Sequence, residues 1–538
     1  MRSLLLLLAF FLSALAYSQY EPVMVNLKTG KKEVTSSIEI LPRIFGYDSS
    51  GYFALTKRGS RFGIAHYNNR MQRVNENDID LNVNLKQRRI VKMVHFHDSI
   101  YMFFTLEGIK SKTLYVQTVF KDSLEQKEPP RELLQVNAAR GWKPDFGVVL
   151  SRDETRMLIY SRIIIHGQRQ GLLEMIVCDK GLREQWRNSF RFGFERAPIH
   201  MEEFVVDEFG NVYMLDHLYT PPIPNITGRI NTYMVLAVTE QGEKLSTYRI
   251  EYEGHFLKNG KIEPAGREFV ICSGFLSNLD LDGSVTGTFY FRINTRLGIL
   301  QNQRKFEIPK EDFFSGECFG LHTDHLIWKK QGYCFLVGEQ IFRESHNHYQ
   351  NLFICLFEPD GALRWQRAIH KQQSKEVGSG IKENYRGVYS DLPETYWDPL
   401  ATDEENINAE PAFNLDRYRS VKSLQRKNLE DQLWIFSSYA LIAPLDEGWI
   451  AVAFNDRLKN LDPATGKNKV FDSGKKSYMK LVRAGPSGFI EEQVAYKRDR
   501  RKIPTPMPFF SYDTKQSRIV FPAGRKNNTY YMMELELQ

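Results

Sequence analysis

Cysteine is scarce in this 538-residue chain. There are only five, Cys178, Cys272, Cys318, Cys334 and Cys355, and no two stand in CxxC spacing. That pattern supports neither a disulfide framework nor a zinc site. Most of them sit inside apolar runs such as Tyr333-Cys334-Phe335-Leu336 and Phe353-Ile354-Cys355-Leu356, where a thiol serves as a small hydrophobe. A Cys334–Cys355 bridge is conceivable only if the two face each other on adjacent strands. Long apolar stretches are missing after the first eighteen residues, so no later segment is suited to crossing a bilayer. Excess charge is missing too. The formal net charge is +7 and is spread along the chain, unlike the clustered Lys and Arg of a nucleic-acid binder. Gly-rich phosphate loops and Gly-x-Ser-x-Gly nucleophile elbows do not occur. Gly485-Pro486-Ser487-Gly488 reads as a turn between strands.

The chain opens with Met1-Arg2-Ser3, then the apolar run Leu4 to Leu12, then Ala16-Tyr17-Ser18. One positive charge, a short apolar core and small residues two apart are the parts of a cleaved signal peptide over 1–18. The expected mature protein is therefore 19–538, exported to a periplasm, an outer surface or the exterior. No Cys follows the cleavage region to carry a lipid.

What is abundant is aromatic and strand-forming: 26 Tyr and 36 Phe, with many Val, Ile and Thr. One unit recurs along the chain. It consists of an apolar strand, a tight turn, a second apolar strand, a longer loop, a third strand, a turn and a polar fourth strand. The first turn is seen at Tyr47 to Gly51, His97 to Ser99, Arg152 to Thr155, Asp207 to Gly210 and Pro264 to Gly266. It returns at Lys329 to Gly332, Leu445 to Gly448 and Asp513 to Lys515. These positions use residues that tolerate turn dihedrals or bond to the local backbone. The runs that follow, such as Tyr101 to Phe104, Met157 to Tyr160 and Val212 to Leu215, are continuously apolar, as in strands buried on both faces. A second turn, at Cys178 to Gly181, Thr239 to Gly242, Asn294 to Gly298 and Glu358 to Gly361, leads into the polar strand.

Units start roughly 50 to 65 residues apart, the spacing of propeller blades. The chain thus resembles the β-propeller superfamily over its whole mature length, and among its members the secreted bacterial propellers. It lacks the Gly-His and Trp-Asp pairs of WD40 blades and any kelch signature. It also lacks the Asp-box, since Ser511-Tyr512-Asp513 begins like one and fails at Lys515. The expected fold is all-β, a single propeller of seven or eight four-stranded blades. A partly helical insertion at about 371–430 falls between two late blades. The last unit ends at Leu537 without an outer strand, and Val23 to Val34 is placed to supply it and close the ring.

In such blades the first-to-second and third-to-fourth turns share one rim, and these are short. The second-to-third and blade-to-blade connections share the other rim and include long segments: Arg162 to Gly171, His217 to Asn231, Ser277 to Gly287, Gln340 to Gln350, Asp456 to Lys476 and the insertion. Long loops on a rigid scaffold are where binding residues collect, so this rim is the expected functional face. Its candidate contacts are Arg140 and Trp142 in one connection, and Tyr385, Tyr389, Tyr396, Trp397 and Asp398 in the insertion. Asp391 to Glu410 carries seven acids and no Lys or Arg, and a helix opened by Asn414 carries Arg417, Arg419, Lys422, Arg426 and Lys427. The two either pair with each other or form a lid or partner-binding element. The basic run Lys497 to Lys502 fits a solvated loop or an anionic headgroup.

Metal chemistry is poorly supported. Asn278 to Gly283 resembles a calcium loop, but Thr286 and Phe289 occupy its ninth and twelfth positions, and a hairpin between Phe275 and Phe289 explains the same residues. His322, His325, His346 and His348 crowd one unit and read as solvated or strand-end residues rather than ligands. No cofactor and no metal are expected. The leading functional expectation is a non-catalytic binding or scaffold protein that takes protein or glycan on the long-loop rim. The alternative is a carbohydrate-active hydrolase or lyase with acids converging on the central channel, whose positions sequence alone does not reveal.

Overall fold

The computed structural model describes residues 25–34, 39–58, 61–79, 82–83, 86–87, 89–96, 99–108, 111–137, 145–165, 170–193, 199–219, 231–278, 285–309, 318, 320–343, 346–371, 373–376, 439–457, 477–494, 518–523 and 529–537. Among the described residues there are strands and turns but no helix, and hence no helix fit to cross a membrane. The strands form an eight-bladed β-propeller.

The chain opens with β1 (Val25–Val34) and then builds blade one from β2 (Glu39–Asp48), β3 (Gly51–Arg58), β4 (Arg61–Asn68) and β5 (Arg73–Ile79). A small hairpin, β6 (Asn82–Val83) and β7 (Lys86–Gln87), leads to blade two: β8 (Arg89–Phe96), β9 (Ser99–Glu107), β10 (Ser111–Phe120) and β11 (Arg131–Asn137). Blade three is β12 (Asp145–Leu150), β13 (Arg156–Ile165), β14 (Gln170–Asp179) and β15 (Glu184–Gly193). Blade four is β16 (Ile199–Val206), β17 (Val212–Tyr219), β18 (Asn231–Thr239) and β19 (Lys244–Ile250). Blade five is β20 (Phe256–Pro264), β21 (Phe269–Ser277), β22 (Gly287–Asn294) and β23 (Ile299–Glu307). Blade six is β24 (Leu321–Trp328), β25 (Cys334–Arg343), β26 (His346–Phe357) and β27 (Leu363–Ile369), with β28 (Gln373–Glu376) paired to β26. Blade seven is β29 (Ala440–Ile442), β30 (Ile450–Arg457), β31 (Ser477–Gly485) and β32 (Gly488–Val494). The closing blade contains β33 (Arg518–Ala523), β34 (Thr529–Leu537) and β1.

Blades one to seven are antiparallel meanders, and from blade one to blade six the first strands of neighbouring blades touch around the inside of the ring, as β2 with β8 and β20 with β24. Blades stack face to face, so each buries two faces. Leu158 packs toward blade four with Phe204 and Met214, while its neighbours Met157 and Ile159 pack toward blade two with Phe103 and Leu114. This two-sided burial is why the middle strands are apolar without alternation. A core lies between each neighbouring pair of blades, from blades one and two round to the closing blade and blade one, where Tyr52, Ala54 and Tyr67 meet Val520 and Met532. The ring is therefore closed, with eight blades.

Closure uses the strand expected of it. β1 pairs antiparallel with β34 from Val25 opposite Leu537 to Val34 opposite Thr529. Glu534, buried between the joined blades, accepts from Lys28 of β1 at 2.6 Å and from the Tyr52 hydroxyl of blade one at 2.5 Å.

Adjacent blades are also tied near the short-turn rim. A side chain on the outer strand of one blade donates to a turn carbonyl of the next. Asn75 and Asn77 reach the carbonyls of Asp122 and Leu124, Asn188 reaches Gly242, Asn302 reaches Asp360, and Arg364 reaches Pro486. The indole N–H of Trp365 adds a bond to the Gly485 carbonyl at 3.0 Å, and that of Trp186 bonds the Gly210 carbonyl at 2.9 Å. Turn backbone also packs closely against an aromatic ring of the preceding blade. A Cβ on Gly361 (φ 81°) would sit 2.4 Å from the Tyr290 ring.

Several expectations are corrected. Arg162–Gly171 and Gln340–Gln350 are mainly strand, since β13 runs to Ile165 and β25 and β26 are separated only by 344–345. The short-turn rim is not uniformly short, because 121–130 joins β10 to β11 there. His346 and His348 begin β26 and are not in a loop. Cys334 lies opposite Phe357 and Cys355 opposite Leu336, so the two thiols do not face each other, and all five cysteines are buried. The hairpin from Phe275 to Phe289 is present as β21 and β22. The signal peptide, the acidic segment, the helix at Asn414 and the basic run at Lys497 lie outside the described residues.

One consequence is measurable. Gly298 also has positive φ (72°) but nothing within 4 Å of its added Cβ. Gly298→Ala should cost about 1 kcal/mol from backbone strain alone. Gly361→Ala should cost about 3 kcal/mol, because the Tyr290 ring must also move. Urea midpoints of the two variants check the difference.

Candidate functional site

The topology places two kinds of connection on one rim: those joining second to third strands, and those joining blades. There the connections between β17 and β18, β21 and β22, β23 and β24, and β30 and β31 run, as does the connection from Ile369 to Ala440. That last connection is the insertion, and the structure shows what anchors it.

Blade six extends beyond its neighbours on this rim. β25 and β26 continue as a hairpin, with Ile341 opposite Tyr349 and Arg343 opposite Asn347, and β28 adds to the free edge of β26 from His346–Glu376 to Tyr349–Gln373. The chain leaves β27 at Ile369 and passes through His370 and Lys371 into β28. It returns at Tyr439, which immediately precedes β29.

Both ends of this excursion are held by buried polar groups. The Lys371 ammonium pairs with Glu339, and both side chains are fully buried. The Tyr439 hydroxyl donates to Asp324 Oδ2 at 2.6 Å, also buried. The two anchors meet, because Lys371 Nζ lies 5.7 Å from the centre of the Tyr439 ring, within cation–π range. The His325 ring meets Tyr439 edge-on at 6.2 Å. Beside them, Asn351 Nδ2 donates to Gln340 Oε1 at 2.7 Å, and His370 shares a 3.0 Å hydrogen bond with Asn351 Oδ1. Buried charges persist only when paired, so this cluster fixes where the insertion departs and where it rejoins.

The residues singled out from sequence, Arg140, Trp142, Tyr385, Tyr389, Tyr396, Trp397 and Asp398, all lie outside the described residues. In the chain, the first two fall between β11 and β12 and the rest between β28 and β29. The anchoring residues were not anticipated. A signal was present in Glu339 and Gln340, polar residues following the apolar run Cys334 to Val337 in one strand, since such groups demand partners once buried. Of the four histidines, His322 is buried in β24 and His325 is half-buried beside Tyr439. Among the described residues, no three His, Cys, Asp or Glu side chains come together as a metal site. The carboxamide oxygen of Asn278, first residue of the calcium-like segment, shares a 2.9 Å hydrogen bond with His255 and accepts from the Thr286 hydroxyl at 3.4 Å.

No known family matches the chain, and no curated protein matches it. Solved structures similar to it are remote. The WD40 domain of SCAP from fission yeast aligns over 94% of this chain and 98% of its own, with 8% identity and a TM-score of 0.35. Prolyl oligopeptidase B from Galerina marginata aligns over 92% of this chain and 55% of its own, with 10% identity and a TM-score of 0.38. Apocarotenoid oxygenase from Synechocystis covers 62% of this chain and 74% of its own, with 6% identity and a TM-score of 0.31. These distances support no transfer of activity.

Removing either partner of the buried pair should destabilise the protein by about 3 kcal/mol or more. In a double-mutant cycle with Glu339→Gln and Lys371→Gln, a coupling of about 1 kcal/mol or more is expected between the two positions. Denaturant unfolding of the four proteins measures it, and additive losses would show that the pair does not act as a unit.

Proposed function

We propose that this protein is a non-catalytic binding or scaffold propeller. It engages a protein or glycan through the long-loop rim, in the bacterial envelope or outside the cell. The observation that carries the reading is the anchored insertion: a connection from Ile369 to Ala440, the longest between any two blades, held at both ends by buried polar contacts. Elaborated connections on a rigid ring are the usual place for recognition. The insertion carries Tyr385, Tyr389, Tyr396 and Trp397, side chains that supply large contact area at low entropic cost. The apolar run Leu4 to Leu12 followed by Ala16-Tyr17-Ser18 supports the reading of export.

The hydrolase reading calls for a carboxyl group poised to give up a proton. Among the described residues, burial raises the carboxyls of Glu174, Asp207 and Glu263. Each is already engaged by the protein. Asp207 accepts from the backbone of Phe209 and Asn211 and from Tyr213, Glu263 is bound by Arg152, and Glu174 stands 3.8 Å from Arg187. Such commitments favour a binder.

Tagged full-length protein and a Tyr396→Ala/Trp397→Ala variant should be compared on a glycan array and in pulldowns from envelope extract. The variant is expected to lose recovery of a specific partner by about tenfold or more, the effect of removing one interface anchor. Equal recovery of every partner by both proteins would remove the insertion from the account.

A further inference from the structure

The opposite end of the ring carries a contact that the rim reading does not use. Arg152 lies in the turn between β12 and β13 of blade three. Its guanidinium donates to Glu263 Oε1 of blade five at 2.9 Å, and also to the backbone carbonyl of Trp328 at the end of β24 in blade six. It thus reaches past blade four and ties non-neighbouring blades across the inside of the ring. Glu263 is half-buried, while the next residue after Trp328, Lys329, is fully buried and donates to the Pro444 carbonyl of blade seven at 2.7 Å. We propose that Arg152, Glu263 and the Trp328 carbonyl form a latch across the short-turn end of the central channel, and that acidification loosens it.

The charges around the latch fix the direction. Burial pushes the Glu263 carboxyl up to about 7, partly offset by Arg152. Burial, with Arg152 adding repulsion, brings Lys329 down to about 7. Glu203 of β16 raises Glu263, but it also accepts the Ile262 N–H at 2.8 Å and holds Lys261 at 3.3 Å. Glu447 of the β29–β30 turn and Glu263 favour the charged form of Lys329. Cys334 of β25 feels Arg152 and Glu263 but is held as a neutral thiol by burial. Above about 7, Arg152 faces a carboxylate and a neutral amine, and the latch is a charge-assisted pair. Below it, Arg152 faces a carboxylic acid and an ammonium, so one attraction is lost and one repulsion gained. The change is local. Glu263, with its pKa raised by folding, weighs against the fold as pH rises through about 7, whereas Lys329, with its pKa lowered, weighs against it as pH falls through about 7. The two contributions oppose each other in global stability but act together on Arg152.

Hydrogen exchange of the full-length protein tests this without any partner, so its outcome is independent of the binding reading. After correction for intrinsic rates, the turn 151–155 should open about tenfold more at about pH 5.5 than at about pH 8.5. Glu263→Gln should exchange faster than the wild type at about pH 8.5 and keep only the smaller response that Lys329 supplies. Arg152→Met removes both contacts and the charge, and should exchange at about the acid level at both values. Lys329→Met should shrink the response. Circular dichroism confirms that each variant is folded. Protection of 151–155 that ignores pH in the wild type, or wild-type protection at alkaline pH in folded Glu263→Gln, overturns the latch.

Discussion

Face-to-face burial between neighbouring blades is the constraint on which the structure depends. Each sheet is apolar on both sides, so every blade needs two neighbours, and a row of blades would expose an apolar face at each end. Such a face would be of order hundreds of Å², the size that marks an interface or an aggregation site. A closed ring removes both. The joint between the closing blade and blade one is therefore the point at which the whole arrangement succeeds or fails. It is built from the first and last described strands, with β1 laid on β34 and Glu534 binding Lys28 on one side and Tyr52 on the other. The ties from outer strands to the next blade's turns repeat the same logic on a smaller scale, holding each interface in one register.

Much of this architecture was legible in the residues. Runs such as Tyr101 to Phe104 and Met157 to Tyr160 could only be strands buried on both faces, and their turns mark the blades one by one. The missing outer strand at Leu537 pointed to Val23 to Val34 as its source, and β1 fills that place. Blade six was harder to read. Its extension through Ile341 to Tyr349 is polar and carries Glu344, Ser345, His346 and Asn347, a composition normal for a loop, and strand pairing there comes from neighbours distant in sequence. β13 was a different case, because Ile163-Ile164-Ile165 continues the strand pattern beyond Arg162.

The polar groups were less legible because pairing across blades leaves no local trace. Asp324 and Tyr439 are joined only by the stacking of blades six and seven, and Glu339 meets Lys371 only because the meander of blade six brings β25 beside the segment after β27. Arg152 appears in the sequence as one charged residue in a turn of charged residues. Its reach to blades five and six follows from ring curvature alone. The two rims consequently differ in kind. One carries long connections held at their bases. The other is drawn together by short turns, outer-strand donors and a guanidinium across the middle.

Ring closure by the terminal strand is the claim most directly open to measurement. A protein carrying Asn26→Cys and Glu536→Cys places two thiols at directly opposed positions of β1 and β34, about 5 Å apart at Cβ. Mild oxidation should bridge them nearly completely, as read by mass spectrometry of the digest. Asn26→Cys with Tyr530→Cys, distant along the same strands, should stay reduced. Absence of the first bridge, or equal bridging in both proteins, would contradict a ring closed in this register.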